Sequence, residues 1–181
     1  KLGFGASRTM QIAQRLYQGI DIDGETVGLI TYMRTDGTNI SKDAVDSFRN
    51  FITQHHGETY LPPSPLNYSG KKAKNAQEAH EAIRPTEITR VPEEMKKYLS
   101  TDQYKLYNLI WSRSLSSQME SAKFDRKTIT ITSEDNKNIC KASGSTLKFD
   151  GFLKVSRLDE NKDDENILPE VGKGEVEFND F

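Results

Sequence analysis

Cysteine is almost missing from this sequence. Cys140 is the single one in 181 residues. No internal disulfide can therefore staple the fold, and a reducing cytoplasmic compartment is the default. No apolar run approaches the length of a membrane helix, which argues against a membrane partner. No charged-then-apolar leader opens the chain. With 12 Gly and 6 Pro, the chain is neither collagen-like nor of low complexity. It has no Walker sequence, no Cys/His pairing at zinc spacing, no serine nucleophile elbow and no internal repeat. Two further features fall short. The acidic stretch Asp21-Ile22-Asp23-Gly24-Glu25 lacks the ligand spacing of a calcium loop and reads as a turn at Gly24. Gly3-Phe4-Gly5 lacks the strand and spacing of a nucleotide fingerprint. No metal site is assigned within these residues. The chain begins at Lys1 and stops at Phe181 in a strand-like stretch, so it reads as a piece of a longer protein.

What is present suits a folded domain or one domain plus a smaller piece. The chain is 34% hydrophobic and 29% charged, and at this length roughly 70% of the unfolded surface can be buried. The net charge of -2 conceals an uneven distribution: residues 1–157 carry +5 and residues 158–181 carry -7. A mildly basic body can meet a polyanion, although the same charge also serves solubility.

Hydrophobic spacing places a helix over 7–19, capped by Ser7, with Met10, Ala13, Leu16 and Tyr17 forming one face and Gly19 ending it. Residues 27–33, VGLITYM, read as a buried strand or extended segment, followed by a turn at Asp36-Gly37. Ser41 starts a second helix carrying Ala44, Val45, Phe48, Phe51 and Ile52, with Gly57 after it. Residues 58–75 form a Pro-interrupted loop that ends in Lys71, Lys72 and Lys74. NAQEAHEAI reads as two short helical turns that stop before Pro85. Pro92 opens a short helix. Ser100 and Gln103 match a capping box for a long helix to about 121, with Leu106, Leu109 and Ile110 inward. Beyond Phe124 the period changes to two. KTITITS, ICKASGSTLKF and GFLKVSR are strand candidates, 158–166 is an acidic loop, and GEVEF is a last strand candidate. The expectation is an α+β chain: a mainly helical domain over 1–121, then part of a β-rich domain over 122–181 with an incomplete sheet.

The most informative segment is Tyr32-Met33-Arg34-Thr35-Asp36. On an extended backbone Tyr32 and Arg34 point to the same side. A phenol with an ordinary pKa of ~10 is a weak nucleophile at neutral pH. A guanidinium beside it favours the phenolate and can grip a phosphate oxygen. The pair suits attack on a phosphodiester with a covalent tyrosine–phosphate intermediate. It equally suits a Tyr capping the core beside a surface Arg. In the second segment, Gln77, His80, Glu81 and Arg84 would share one face of a helix. His80 could give a proton or hydrogen bond to a phosphate, and Arg84 could bind another, or the face could simply be solvated. His55 and His56 read as a helix C-terminal cap.

Together, LGFGASRTMQIAQRLYQGI, GLITYMRTDGTNIS, KKAKNAQEAHEAIRPT, DQYKLYNLIWSR and ASGSTLKFDGFLKV resemble, in order and to about residue 157, the bacterial type IA DNA topoisomerases. The resemblance implies the fold of a helical nucleophile-bearing domain followed by part of the β-rich arch domain. It implies that Tyr32 attacks a single-stranded DNA phosphodiester and becomes linked to the 5′ phosphate. Strand passage and resealing then relax negatively supercoiled DNA without ATP. Arg34 matches the residue that positions the scissile phosphate, His80 matches the active-site His of the EAHEAIRP motif, and Asp36 matches the acidic residue of the same turn. Arg34, Asp36 and Arg84 are the expected DNA contacts. The family usually reads YMRTDS, and Gly37 stands here in place of that Ser. The family's Mg²⁺ belongs to an N-terminal Toprim domain not recognisable in residues 1–31, so this chain alone is expected to be inactive. A cytoplasmic location at the bacterial nucleoid is implied. The alternative is a non-catalytic module that docks single-stranded DNA.

Overall fold

The computed structural model describes residues 2–68, 80–133 and 135–156, with Leu168 and Gly174. Its architecture is α+β, with helices and small antiparallel sheets. The chain divides into two compact units, Lys1–Glu120 and Ser121–Phe181. Among the described residues no helix is long and apolar enough to cross a membrane.

In the first unit, helix α1 spans Ala6–Gln18. The expected cap at Ser7 is displaced by two residues: Gly5 is the N-cap, and its carbonyl accepts the Thr9 N–H at 3.0 Å. Ser7 already lies inside the helix. The buried stripe is Ile12, Ala13 and Leu16, and of the face formed by Met10, Ala13, Leu16 and Tyr17 the two ends, Met10 and Tyr17, are exposed. Gly19 closes the helix at φ 130°, a conformation open to glycine.

A hairpin follows, β1 (Ile20–Ile22) and β2 (Glu25–Val27). Asp23 and Gly24 both have positive φ, as a two-residue type I′ turn requires. The Asp21 carboxylate accepts the Gly24 N–H at 3.0 Å. Of the buried strand or extended segment expected over 27–33, Val27 lies in β2 and Ile30 is bridged to Pro85; Leu29 and Ile30 are buried, and the chain bends at Thr31.

Helix α2 (Lys42–His56) buries Ala44, Phe48, Phe51 and Ile52. Ser41 is its N-cap by backbone geometry, but its side chain makes no cap bond. Gly57 terminates it, and His55 stacks on Phe51 at 3.9 Å between ring centroids. A 3₁₀ turn covers Glu58–Tyr60. Pro92 opens the short helix α3 (Pro92–Met95). Helix α4 (Thr101–Ser116) begins with the expected capping box: Ser100 N–H donates to Gln103 at 2.9 Å, and Gln103 N–H donates to the Ser100 hydroxyl at 3.4 Å. Its buried line runs through Leu106, Tyr107, Trp111 and Leu115, while Leu109 and Ile110 are only half-buried. The helix stops at Ser116, short of 121, because the next bonds tighten to i→i+3 spacing. The Glu120 N–H then turns to the Tyr60 carbonyl. The core gathers Leu16, Leu29, Ile30, Phe48, Ile52, Tyr107 and Leu115, with Trp111 against Phe51 at 5.6 Å. Three polar side chains of the core find partners: Trp111 donates to the Ile88 carbonyl, Tyr107 to the Arg90 carbonyl, and Gln118 bonds both ways with the Leu66 backbone.

The second unit is a long antiparallel ribbon of β3 (Lys123–Thr132) and β4 (Ile139–Phe149). Ile129 pairs with Ala142 and Ile131 with Cys140. GFLKVSR does not form the expected strand. Gly151 takes φ 48° and the chain turns into a short helix, α5 (Leu153–Ser156). The Val155 and Ser156 N–H groups return to the Phe152 carbonyl. The acidic loop 158–166 and the strand candidate at 174–178 lie outside the described residues, apart from Gly174.

Candidate active site

Past a bend at Thr31, residues 31–34 alternate in exposure. Thr31 and Met33 are half-buried; Tyr32 and Arg34 are exposed. Thr31 is the fastening. Its N–H donates to the Arg84 carbonyl at 2.9 Å, its hydroxyl donates to the Ala82 carbonyl at 2.8 Å, and it accepts the Arg84 N–H at 3.0 Å. The anchored side holds the other side open. Tyr32 and Arg34 line one cavity of about 310 Å³ with Met10, Met33, Thr35 and Asp36.

Arg34 pairs with Asp36 at 3.2 Å, and both side chains are about half exposed. The carboxylate is an acceptor, so it orients the guanidinium and competes with any phosphate for it. The Tyr32 ring, 46% exposed, meets the His80 ring edge-on at 6.1 Å. Tyr32, Arg34, Asp36 and His80 are thus gathered in one place.

The His80 segment is not helical, contrary to the sequence reading. Residues 80–85 run extended, with Glu81 bridged to Asn39 and Pro85 to Ile30. The Ala82 N–H donates to the Asn39 carbonyl at 2.8 Å. Pro85 removes the α region from Arg84, and neighbouring chain segments take up the backbone bonds. The proposed common face of Gln77, His80, Glu81 and Arg84 therefore does not arise; Gln77 itself lies outside the described residues. Gly37 acquires a reason here: a Cβ built on it would overlap the His80 carbonyl. Its lack of a side chain lets the two segments touch.

Arg84 is not brought to the cavity. Its side chain is only 13% exposed and binds Glu81 at 2.7 Å, the Pro85 carbonyl at 3.0 Å and the Ser41 hydroxyl at 3.4 Å. Glu81 also accepts the Ser41 N–H at 2.9 Å, satisfying an otherwise orphaned donor at the start of α2 as the N3 side chain of a capping box would. Burial opposes ionisation of Glu81, but Arg84 and the Ser41 N–H together hold its carboxyl below the ordinary value.

Tyr17, read from the sequence only as part of one helix face, adjoins the site. Its ring meets the Tyr32 ring edge-on at 5.2 Å. Met10, two turns earlier on the same face of α1, lines the cavity of Tyr32 and Arg34. Their place at the margin of the apolar stripe, outside the tight set Ile12, Ala13 and Leu16, is the signal that could have found them. Among the described residues no group of three or more His, Cys, Asp or Glu stands together to hold a metal.

A family model described as DNA topoisomerase matches residues 1–180. The chain belongs to the DNA topoisomerase family. This topoisomerase chain is 52% identical over 178 residues to DNA topoisomerase 1 of Rickettsia bellii, covering 97% of the chain and 22% of that protein. It is 46% identical over 170 residues to DNA topoisomerase 1 of Helicobacter pylori, covering 94% of the chain and 22% of the relative. It is similar to the full-length topoisomerase I structure from Thermotoga maritima, with a TM-score of 0.74 and 41% identity over 89% of this chain and 25% of that one. The topoisomerase chain thus spans about a quarter or less of the length of these relatives.

Proposed function

We propose that this chain carries the nucleophile of a type IA DNA topoisomerase, and that the nucleophile is Tyr32. The observation that carries the reading is the exposed Tyr32 ring on a shared cavity with Arg34, flanked by His80. In this reading the Tyr32 oxygen attacks a phosphodiester of single-stranded DNA. A bond forms from that oxygen to phosphorus, and the bond from phosphorus to the 3′ oxygen breaks. The phenol proton leaves as the nucleophile forms, and the departing 3′ oxygen takes one up. The 5′-phosphotyrosine bond conserves the energy, so the reverse step reseals the strand without ATP.

Arg34 grips the non-bridging oxygens, with Asp36 setting its direction. His80 hydrogen-bonds the same phosphate or supplies the proton for the 3′ oxygen. Arg84, expected as a DNA contact, acts through Glu81 to hold the His80 segment. Passage of a second strand through the break relaxes negative supercoils of bacterial nucleoid DNA. In this reading Mg²⁺ is bound by another part of the full-length enzyme. The 181 residues alone neither cleave nor relax DNA.

The test is Tyr32→Phe in the full-length enzyme, assayed on a labelled single-stranded oligonucleotide. The covalent adduct should vanish while binding survives. The three adjoining rings favour one other reading, a non-catalytic module that stacks bases. An adduct that persists in Tyr32→Phe would establish that reading over the nucleophilic one.

A further inference from the structure

We propose that Tyr17 is a positioning residue that sets the direction of the Tyr32 ring, an inference that rests on Tyr32 being the nucleophile. An exposed phenol has two free side-chain torsions. In-line attack needs its oxygen within about 3–3.5 Å of phosphorus along one line, so a swinging ring wastes most encounters. Tyr32 is half exposed, and the core does not hold its ring. Two rings do. Tyr17 stands on one side at 5.2 Å and 62°, and His80 at 6.1 Å and 66°. Both contacts have the edge-to-face geometry that aromatic pairs favour.

Tyr17 is the firmer of the two supports. It sits in the last turn of α1, where the Leu29 N–H donates to the Leu16 carbonyl at 2.8 Å. Gly28 passes so close that a Cβ there would lie 2.7 Å from the Tyr17 carbonyl oxygen. The backbone bearing Tyr17 is therefore locked to the backbone leading into Tyr32, four residues on from Gly28. Tyr17 is itself 41% exposed, so the core gains little from its ring. Its role is lateral: it bars part of the space into which the Tyr32 ring would otherwise turn.

The experiment uses the full-length enzyme with Tyr17→Ala, Tyr17→Phe and Tyr32→Phe. Single-turnover adduct formation on a single-stranded oligonucleotide gives the rate. Equilibrium binding of the same oligonucleotide gives the affinity, and all rates are read well below the melting transition of every variant. Tyr17→Ala should slow adduct formation about 10-fold, the upper range of one aromatic contact, with affinity within about twofold of wild type. Tyr17→Phe should restore the rate, since the ring and not its hydroxyl forms the wall. Three outcomes overturn the proposal: an unchanged rate in Tyr17→Ala; affinity falling in step with rate, which makes Tyr17 a base-stacking contact; or Tyr17→Phe as slow as Tyr17→Ala. If Tyr32→Phe still forms the adduct, the nucleophile reading itself fails, whatever the Tyr17 variants do.

Discussion

Removing the Glu81 carboxylate should loosen the 181-residue chain at two points at once. Glu81→Ala takes away the acceptor for the Ser41 N–H at the start of α2, and it strips Arg84 of its closest partner. Losing that hydrogen bond costs about 1 kcal/mol. The ion pair lies between the exposed and buried limits, with side chains 33% and 13% exposed. Solvent screening discounts it, and about 1 kcal/mol is a fair share. The sum, about 2 kcal/mol, should lower the melting temperature by about 8 °C for a unit of this size. Glu81→Gln keeps an oxygen for the Ser41 N–H and loses only the charge, so it should fall between. The carboxyl is held below its ordinary 4.5 in the folded state. Its contribution is therefore complete above 4.5 and lost as pH falls through the lowered value. The gap between wild type and Glu81→Gln should close in that acid range. Circular dichroism melting from pH 7 to pH 3 measures both effects. A Glu81→Ala melt within a degree of wild type at pH 7 would refute the reasoning, as would a pH-independent gap.

Two further outcomes follow from the packing. Gly37→Ala places a methyl against the His80 carbonyl, and relieving that overlap should cost about 1–3 kcal/mol; melting of the chain measures the cost, and adduct formation in the full-length enzyme should slow as His80 withdraws from Tyr32. Tyr107 donates to the Arg90 carbonyl at 2.7 Å, and burial pushes its hydroxyl well above the ordinary 10.0. Above pH 10 the unfolded chain sheds that proton while the folded chain keeps it, so stability should fall as pH rises. Tyr107→Phe should lose about 1 kcal/mol at neutral pH yet show a shallower alkaline decline in urea titrations.

Local signals in the sequence read well wherever the local chain decides the structure. The Ser100–Gln103 box, the Asp23-Gly24 turn and the Gly57 stop need only their neighbours to act. The alternation that leaves Tyr32 and Arg34 exposed is likewise legible from adjacent residues. Where distant segments compete, local signals mislead. His80–Pro85 has helix-forming residues, but Thr31 and Asn39 claim its backbone bonds, and both lie more than forty residues earlier. Tyr17 reads as one face with Leu16, which is core. Only the return of Leu29 to α1 reveals that its ring faces Tyr32. GFLKVSR had the composition of a short strand, and the turn at Gly151 diverts it into a helix before any ladder can form.

Between Tyr17 and Leu29 the chain makes a round trip. It leaves the end of α1, runs out along β1, reverses at Asp23-Gly24 and comes back to within one hydrogen bond of its departure. A detour closed at its base is indifferent to its own length: each doubling of such a loop costs only about 0.6 kcal/mol. The tip is tied at Tyr98, whose exposed hydroxyl donates to Asp23 at 2.6 Å. Shortening the detour or housing a reporter sequence at its tip would sacrifice that one tether and leave the doorstep, Leu16 against Leu29, in place. The β1–β2 hairpin is thus a graft point, closed at its base a few residues before Tyr32.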